Sequence, residues 1–336
     1  LNVFWKEKGY CTAKEWRRFC APVVPLARFP KFVYSSADTL RVPVELYNAY
    51  YGRLMDFEPA FFISDEKGTV IHQGMLDKQD VPLGKNIELG TVTMTLERFQ
   101  QPTKLLLTVA AAQGAVRNSW EFWVYPQELT KVDTKGIYIT QTLDETAKKE
   151  LARGGKVLLT AAGKVTMGND IRQTYLPVFW NTSWFKMRPP HTTGAYINTG
   201  HPLFKHFLSD DWGNLNWWEL LNRAQVINIT GLPKEYQSPV QPIDTWHLSR
   251  KLGMIVEAQV GKGRLFMTTM DIDSNLEKRL VASQMRHAIL TYMQSPDFKP
   301  TLKLNVDEIA DFFTREAPKV DMYTNDSPDE LKPKLN

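Results

Sequence analysis

The first large section of the chain, residues 33–128, alternates apolar and polar residues with a period of two. Val42, Val44 and Leu46 fall on one side of such a run, and residues 87–96 show the same alternation. A period of two is that of a β-strand with one buried face. About seven short runs of this kind, separated by turn-forming residues, are typical of an immunoglobulin-like β-sandwich.

The pattern changes at residues 129–299, where short apolar runs alternate with helical periodicity. Residues 136–140 and 156–160 predict strands, and residues 144–152 predict a helix between them that ends at a pair of glycines. Strand, helix and strand in this order predict a βαβ unit. Further strands and one long helix are predicted at residues 195–197, 226–229, 254–260, 265–268 and 276–292. The strands at residues 254–260 and 265–268 flank a tight turn, which predicts an antiparallel hairpin. Together these elements predict a three-layer α/β domain with a mixed sheet.

The two ends of the chain carry other patterns. Thr12 and Glu15 have the spacing of a capping box, which predicts a helix over residues 13–20. The prolines that follow exclude further helix and predict a stiff strap; they are Pro22, Pro25 and Pro30. Residues 300–336 are polar apart from an amphipathic stretch at 306–313, and they predict a linker and tail.

Composition narrows the classes of function. The hydrophobic fraction of 43% and the charged fraction of 23% are those of a folded globular protein. The net charge is only +4 and no basic run is present, which argues against nucleic-acid binding. No run approaches the ~20 apolar residues of a membrane span, and residues 1–8 lack the pattern of a signal peptide. Cys11 and Cys20 fit neither a zinc site nor a redox pair, and both a disulfide and two thiols stay open.

The α/β region lacks the residues of several enzyme classes. It contains no cysteine, which excludes Cys–His catalysis there. It also lacks a Gly-x-Ser-x-Gly elbow, a phosphate loop and a glycine-rich dinucleotide fingerprint, and we predict no cofactor. Asp271 and Asp273 follow a strand end, where α/β sheets bind ligands, but a turn or a helix cap is the favoured role. No metal is predicted; His191 and His247 lie in similar loops, and each is interpreted as bonding a loop carbonyl.

Aromatic residues supply the best candidate surface, since the chain has ten tryptophans. Several fall in loops or helix starts of the α/β region, close in sequence to charged residues. Such a group can bind a sugar by ring stacking, or it can form an interface between domains. The candidate residues for these two roles are Trp180, Trp184, Arg188, His191, Trp217, Trp218, Asp244, Trp246 and His247.

Motifs along nearly the whole chain resemble one family. The motifs are the segments at residues 4–10, 17–20, 25–28, 120–126, 179–185, 188–194, 241–247 and 261–265. In their order and spacing they resemble the region that follows the catalytic barrel in β-galactosidase-like proteins of glycoside hydrolase family 2. The resemblance implies that residues 1–32 are a helix and strap from the end of a barrel. It also implies that residues 129–299 resemble a class I glutamine-amidotransferase domain without its catalytic cysteine.

The resemblance implies a parent enzyme that acts on carbohydrate, with two catalytic glutamates in the barrel and a secreted or periplasmic location. In that family the acid/base glutamate follows an asparagine, and no Asn-Glu dipeptide occurs in this chain. The leading hypothesis is therefore an accessory region, without catalytic residues, that packs on a barrel or extends its substrate site. The alternatives are a stand-alone carbohydrate-binding module and an assembly module that forms a homo-oligomer.

Overall fold

The computed structural model describes residues 2–173, 175, 192–245 and 248–316, apart from the side chain of Gln113. The chain divides into two compact units, residues 1–128 and 129–336. The first unit is built mostly of strands, and the second combines strands with helices. The prediction of a multidomain chain with a β part and an α/β part agrees with this structure.

The first unit contains two main sheets. Its elements are α1 (Ala13–Trp16), β1 (Val23–Ala27), β2 (Val33–Ser35), β3 (Thr39–Asn48), β4 (Leu54–Phe57), β5 (Ala60–Asp65), β6 (Val70–Met75), β7 (Gln79–Val81), β8 (Asn86–Thr95), β9 (Thr103–Ala111) and β10 (Val116–Tyr125). One sheet has the strand order β1-β3-β8, and the other has β2-β10-β9-β5-β6. The strands pair antiparallel except β2, which runs parallel to β10.

The alternation seen in the sequence becomes the core of this unit. Val42, Val44 and Leu46 on β3 are completely buried. They belong to one apolar cluster with Leu107 on β9 and Phe122 on β10, so the two main sheets share a core. Between them, Pro43 is exposed and Glu45 is partly exposed, as the alternation of a pleated strand requires.

The N-terminal segment differs from the prediction in two ways. Helix α1 covers four residues and not eight, although Thr12 and Glu15 form the expected capping box. The predicted strap includes the strand β1, which lies at the edge of its sheet. Pro25 is tolerated there because an edge strand leaves one side without ladder hydrogen bonds. Cys11 and Cys20 are free thiols, and Cys20 is exposed.

The second unit is built around a five-stranded mixed sheet. Its elements are β11 (Ile137–Thr140), α2 (Glu145–Ala152), β12 (Lys156–Thr160), β13 (Ala195–Ile197), α3 (Trp218–Asn222), β14 (Ile227–Asn228), β15 (Val240–Pro242), β16 (Leu252–Gly253), β17 (Ile255–Val260), β18 (Gly263–Thr268), α4 (Leu280–Gln294), β19 (Lys303–Leu304) and α5 (Val306–Thr314). The main sheet has the order β11-β12-β18-β17-β19. Two small antiparallel pairs, β13–β15 and β14–β16, lie outside it.

The predicted βαβ unit and hairpin are both present. Strands β11 and β12 are parallel, and Asp144 caps the intervening helix α2. Strands β17 and β18 pair antiparallel across the predicted turn. The long helix begins later than expected, because Asn275 takes a left-handed conformation (φ 48°) and a 3₁₀ turn precedes α4.

The C-terminal region is also more structured than predicted. Strand β19 pairs with β17, and helix α5 buries Ile309 and Phe312 in the core of the α/β unit. Residues 303–314, expected within a linker and tail, therefore complete the fold of this unit. The amphipathic stretch at 306–313 was the signal for it.

Candidate functional site

The aromatic candidates do not form one surface among the residues that the structure describes. Trp180, Trp184, Arg188, His191, Trp246 and His247 lie outside the described residues. Of the other three, Trp217 and Asp244 are buried, whereas Trp218 is 53% exposed. Only Trp218 among these three therefore offers an accessible ring.

Trp217 is part of the core of the second unit. Its indole Nε1 donates a hydrogen bond to Ser209 Oγ (2.9 Å). Its ring meets Phe207 edge-on, with centroids 5.3 Å apart, and lies near Phe204. Trp217 is completely buried in this conformation, so its ring is not accessible to a sugar.

Asp244 forms a buried ion pair with Arg250. The Arg250 Nε donates to Asp244 Oδ2 (2.8 Å), and the backbone N–H of Arg250 donates to the same oxygen (2.9 Å). Arg250 also contacts the exposed Asp170 (2.9 Å). Burial by itself lowers the pKa of Arg250, but the two carboxylates outweigh it and leave this pKa raised. Both carboxylate oxygens of Asp244 thus already have hydrogen-bond donors, which favours a structural role.

The loop after β18 is ordered by ion pairs at the carboxyl end of the parallel strands. Arg279, which is nearly buried, contacts both Asp271 and Glu219. It also donates to the carbonyl oxygens of Ser274 and Asp271. Asp273 pairs with Arg286 on α4. These contacts support a structural role for both aspartates, as turn-forming residues that are also neutralised by arginines.

Asp271 provides a pH-dependent contribution to stability. Its partial burial raises its pKa, but hydrogen bonds from Ser274 and the backbone of Asp273 outweigh this and lower it below the ordinary value. A lowered folded-state pKa adds stability at neutral pH that is lost as the pH falls through the folded-state pKa. We expect Asp271→Asn to be less stable than the unmodified chain at pH 7. The difference should shrink steadily below about pH 4 in urea titrations; an equal gap at every pH would contradict this role.

A second polar cluster, which no sequence pattern indicated, surrounds Glu257 on β17. His201 Nε2 lies 2.8 Å from Glu257 Oε1, and the Tyr292 hydroxyl donates to Glu257 Oε2 (3.0 Å). His201 Nδ1 accepts from the N–H of Leu203, so Nε2 carries the proton that faces the carboxylate. Burial first, and then the charge of Glu257, raise the pKa of Tyr292. The cluster fixes the 3₁₀ turn Pro202–Lys205 against β17 and α4.

The first unit exposes a run of apolar residues, which we call the N-terminal apolar surface. Its members, each between 52% and 86% exposed, are Val3, Phe4, Trp5, Tyr10, Trp16 and Phe19. Helix α1 buries none of its own residues. Beside it lies a shallow groove of about 530 Å³ lined by Phe19, Cys20, Ala21, Pro22, Val24, Leu26, Tyr47 and Asn86. Exposed apolar groups of this size are common at sites where proteins bind other molecules.

The second unit carries a smaller exposed group that the sequence analysis missed. Tyr196 on β13 and Trp212 form an isolated antiparallel bridge, and their side chains are 44% and 59% exposed. Ile243, just after β15, is 49% exposed. Because Tyr196 and Trp212 are far apart in sequence, only the chain pairing brings them together.

Among residues 2–173, 175, 192–245 and 248–316, no three histidine, cysteine or acidic side chains are grouped so as to hold a metal ion. In the same part of the chain, every helix is too short or too polar to cross a membrane.

The sequence matches two family models, one in each compact unit. A model described as "Domain of unknown function (DUF8487)" matches residues 138–314, which is more than half of the chain. The chain belongs to the DUF8487 family. A second model, "Domain of unknown function (DUF8488)", matches residues 38–126 of this DUF8487 protein. No curated protein matches its sequence.

Several solved structures share weak similarity with the DUF8487 protein. The alkylpurine DNA glycosylase AlkC of Pseudomonas fluorescens is 13% identical, with a TM-score of 0.26, and the match covers 31% of each chain. A β-glucuronidase from glycoside hydrolase family 2 is 12% identical, with a TM-score of 0.22, over 31% of this chain and 11% of that one. The β-glucuronidase of Parabacteroides merdae is 12% identical, with a TM-score of 0.23, over 42% and 21%. The DUF8487 chain thus spans less than a third of each of these proteins, and likeness at this level carries no functional argument.

Proposed function

We propose that this chain is an accessory region, without catalytic residues of its own, of a family 2-type β-glycosidase that acts on glycans. In this proposal the first unit is an immunoglobulin-like sandwich and the second is an amidotransferase-like domain. The N-terminal apolar surface packs on the catalytic barrel. The single observation that carries the proposal is the exposure of that surface.

The physical argument rests on the free energy of exposed apolar area. Burial contributes roughly 25 cal/mol per Å² of apolar surface. Six large apolar side chains within residues 3–19 are left largely in water. A folded domain seldom keeps so many together unless a partner covers them. The motifs at residues 4–10 and 17–20, which lie in this segment, are those that resemble the end of a family 2 barrel.

The amidotransferase-like unit supports a non-catalytic role on chemical grounds. An enzyme of that type needs a cysteine nucleophile activated by a histidine. The two cysteines of the chain are residues 11 and 20, both in the first unit. In the second unit the carboxylates of Asp244, Asp271 and Asp273 are each bound to an arginine.

The test compares this chain with the longer gene product that contains the proposed barrel. Hydrogen exchange of the amides of residues 3–19 should be slowed about tenfold or more in the longer protein, because the segment is then covered. Amides near Tyr51, an exposed aromatic residue of the same unit that lies outside the surface, should exchange at equal rates in both. A reading frame that encodes no barrel before this segment, or unchanged exchange in the segment, would refute the proposal.

Two measurements on the chain alone separate the other possibilities. Nitrophenyl glycosides should not be hydrolysed; turnover that a single substitution in this chain abolishes would show catalytic residues here. Light scattering should give a monomer at low concentration. A dimer that Trp5→Ser converts to a monomer would identify a second copy as the occupant of the surface and would favour the assembly module instead.

A further inference from the structure

Three chain segments meet at Tyr196 and form a small exposed face, which we call the aromatic strip. Tyr196 on β13 pairs with Gln241 on β15 on one side and with Trp212 on the other. Directly paired antiparallel residues project to the same face, with Cβ atoms about 4.5–5.5 Å apart. The side chains of Trp212, Tyr196 and Gln241 therefore lie side by side across three segments, with Tyr196 in the middle.

Ile243 extends the strip along β15. Its N–H donates to the carbonyl oxygen of Gly194 (2.8 Å), which continues the β13–β15 pairing by one residue. Ile243 lies two residues from Gln241 and so shares its face. Opposite Ile243, Gly194 has φ of 139° and open space at the position of a side chain. The strip is thus open beside Tyr196 and not closed by a bulky neighbour.

The groups around the strip are polar and acidic. Residues 193–199, 209–213 and 240–245, which form it, contain three aspartates and no lysine or arginine. Asp211, next to Trp212, is exposed and accepts a hydrogen bond from the hydroxyl of Thr199. Asp244 is neutralised by Arg250. Within these described segments, the exposed charged side chain is that of Asp211.

Size and charge together select the class of ligand. A stable protein interface covers about 20–30 residues on each side, whereas the exposed large apolar residues described in this unit are only Tyr196, Trp212, Leu215, Trp218 and Ile243. Nucleic acid also stacks on such rings, but its phosphates need lysines and arginines, which these segments lack. A neutral sugar fits a small face without basic residues. The C–H face of its ring covers an aromatic ring, while its hydroxyls donate to carboxylate and amide oxygens.

We propose that the aromatic strip is a binding site for neutral oligosaccharides, with Trp212 and Tyr196 as stacking platforms and Gln241 and Asp211 as hydrogen-bonding partners. None of these four residues belongs to the predicted sugar-binding or interdomain group, and the proposal rests on the proposed function only in taking a glycan as the ligand. The exposed carboxylate of Asp211 disfavours acidic sugars by repulsion between like charges.

The test is calorimetric titration of the full chain with a panel of neutral hexasaccharides built from glucose, galactose, mannose or xylose, and with an oligogalacturonate. At least one neutral saccharide should bind, and Trp212→Ala and Tyr196→Ala should each weaken binding about tenfold or more. Tyr196→Phe should retain most of the affinity, because it keeps the ring. Tyr51→Ala, which removes an exposed aromatic ring of the first unit outside the N-terminal apolar surface, should leave the affinity unchanged.

Three outcomes would overturn the site: no binding across the neutral panel, binding that Trp212→Ala does not weaken in a variant with unchanged circular dichroism, or equal affinity for the oligogalacturonate. None of these outcomes bears on hydrogen exchange at residues 3–19. The strip can therefore fail while the proposed docking to a barrel stands, and the reverse also holds.

Discussion

Arg250→Met is expected to lower the free energy of unfolding of the second unit by about 3–5 kcal/mol at pH 7, because it leaves a buried charge without a partner. The side chain of Asp244 is 1% exposed and that of Arg250 is 7% exposed. Removal of the guanidinium takes away two hydrogen bonds to Asp244, from Nε and Nη2. Among the described residues, the carboxylate then keeps the backbone donors of Thr245 and Arg250.

A matched control uses an Arg–Asp ion pair on the surface of the first unit. Arg53 contacts Asp80 at 2.9 Å, and its side chain is 60% exposed. Arg53→Met should change stability by less than about 1 kcal/mol, since water solvates the remaining carboxylate. Urea titrations followed by circular dichroism would measure both variants. Equal effects would show that burial does not control the strength of the Asp244–Arg250 pair.

A double variant tests the reason for the loss. Asp244→Leu combined with Arg250→Met removes both charges and fills the site with apolar atoms. This variant should recover part of the stability lost by Arg250→Met alone, because no unpaired charge remains in the core. A double variant as unstable as the sum of the two single variants would point to lost packing as the cause.

The sequence predicted the elements that depend on local periodicity. The alternation of Val42, Val44 and Leu46 located β3 and its buried face. The order of strand, helix and strand located β11, α2 and β12. These predictions succeeded because the periodicity and the capping residues of a strand or helix lie within its own short stretch of sequence.

The elements that depend on distant pairing were not predictable in the same way. Pro25 indicated a strap, yet its strand is stabilised by pairing with β3, some twenty residues away. Trp217 and Trp218 are adjacent and chemically identical, but one is buried and the other exposed. Trp217 packs against Phe207 and donates a hydrogen bond to Ser209 in the core. The aromatic strip was missed for the same reason, since a bridge between chain segments creates it.

Gly168 shows how a backbone contact that no local pattern reveals can control stability. We expect Gly168→Ala to lower the free energy of unfolding by about 3–5 kcal/mol. A methyl group at this position would lie 2.6 Å from the carbonyl oxygen of Val226 and 2.8 Å from the amide nitrogen of Asn228. Both atoms belong to backbone beside or within β14, and Asn228 donates to the carbonyl of Met167. The backbone cannot move aside without loss of this hydrogen bond.

Gly163→Ala separates the clash from the conformational cost of a positive φ. Gly163 has φ of 72° and Gly168 has φ of 111°, both in the region that favours glycine. No heavy atom lies within 4 Å of the side-chain position of Gly163, so its substitution carries only the backbone cost of about 1–2 kcal/mol. Urea titrations should place Gly168→Ala well below Gly163→Ala in stability. If the two variants are equally stable, residues 167–168 lie farther from β14 than these distances indicate.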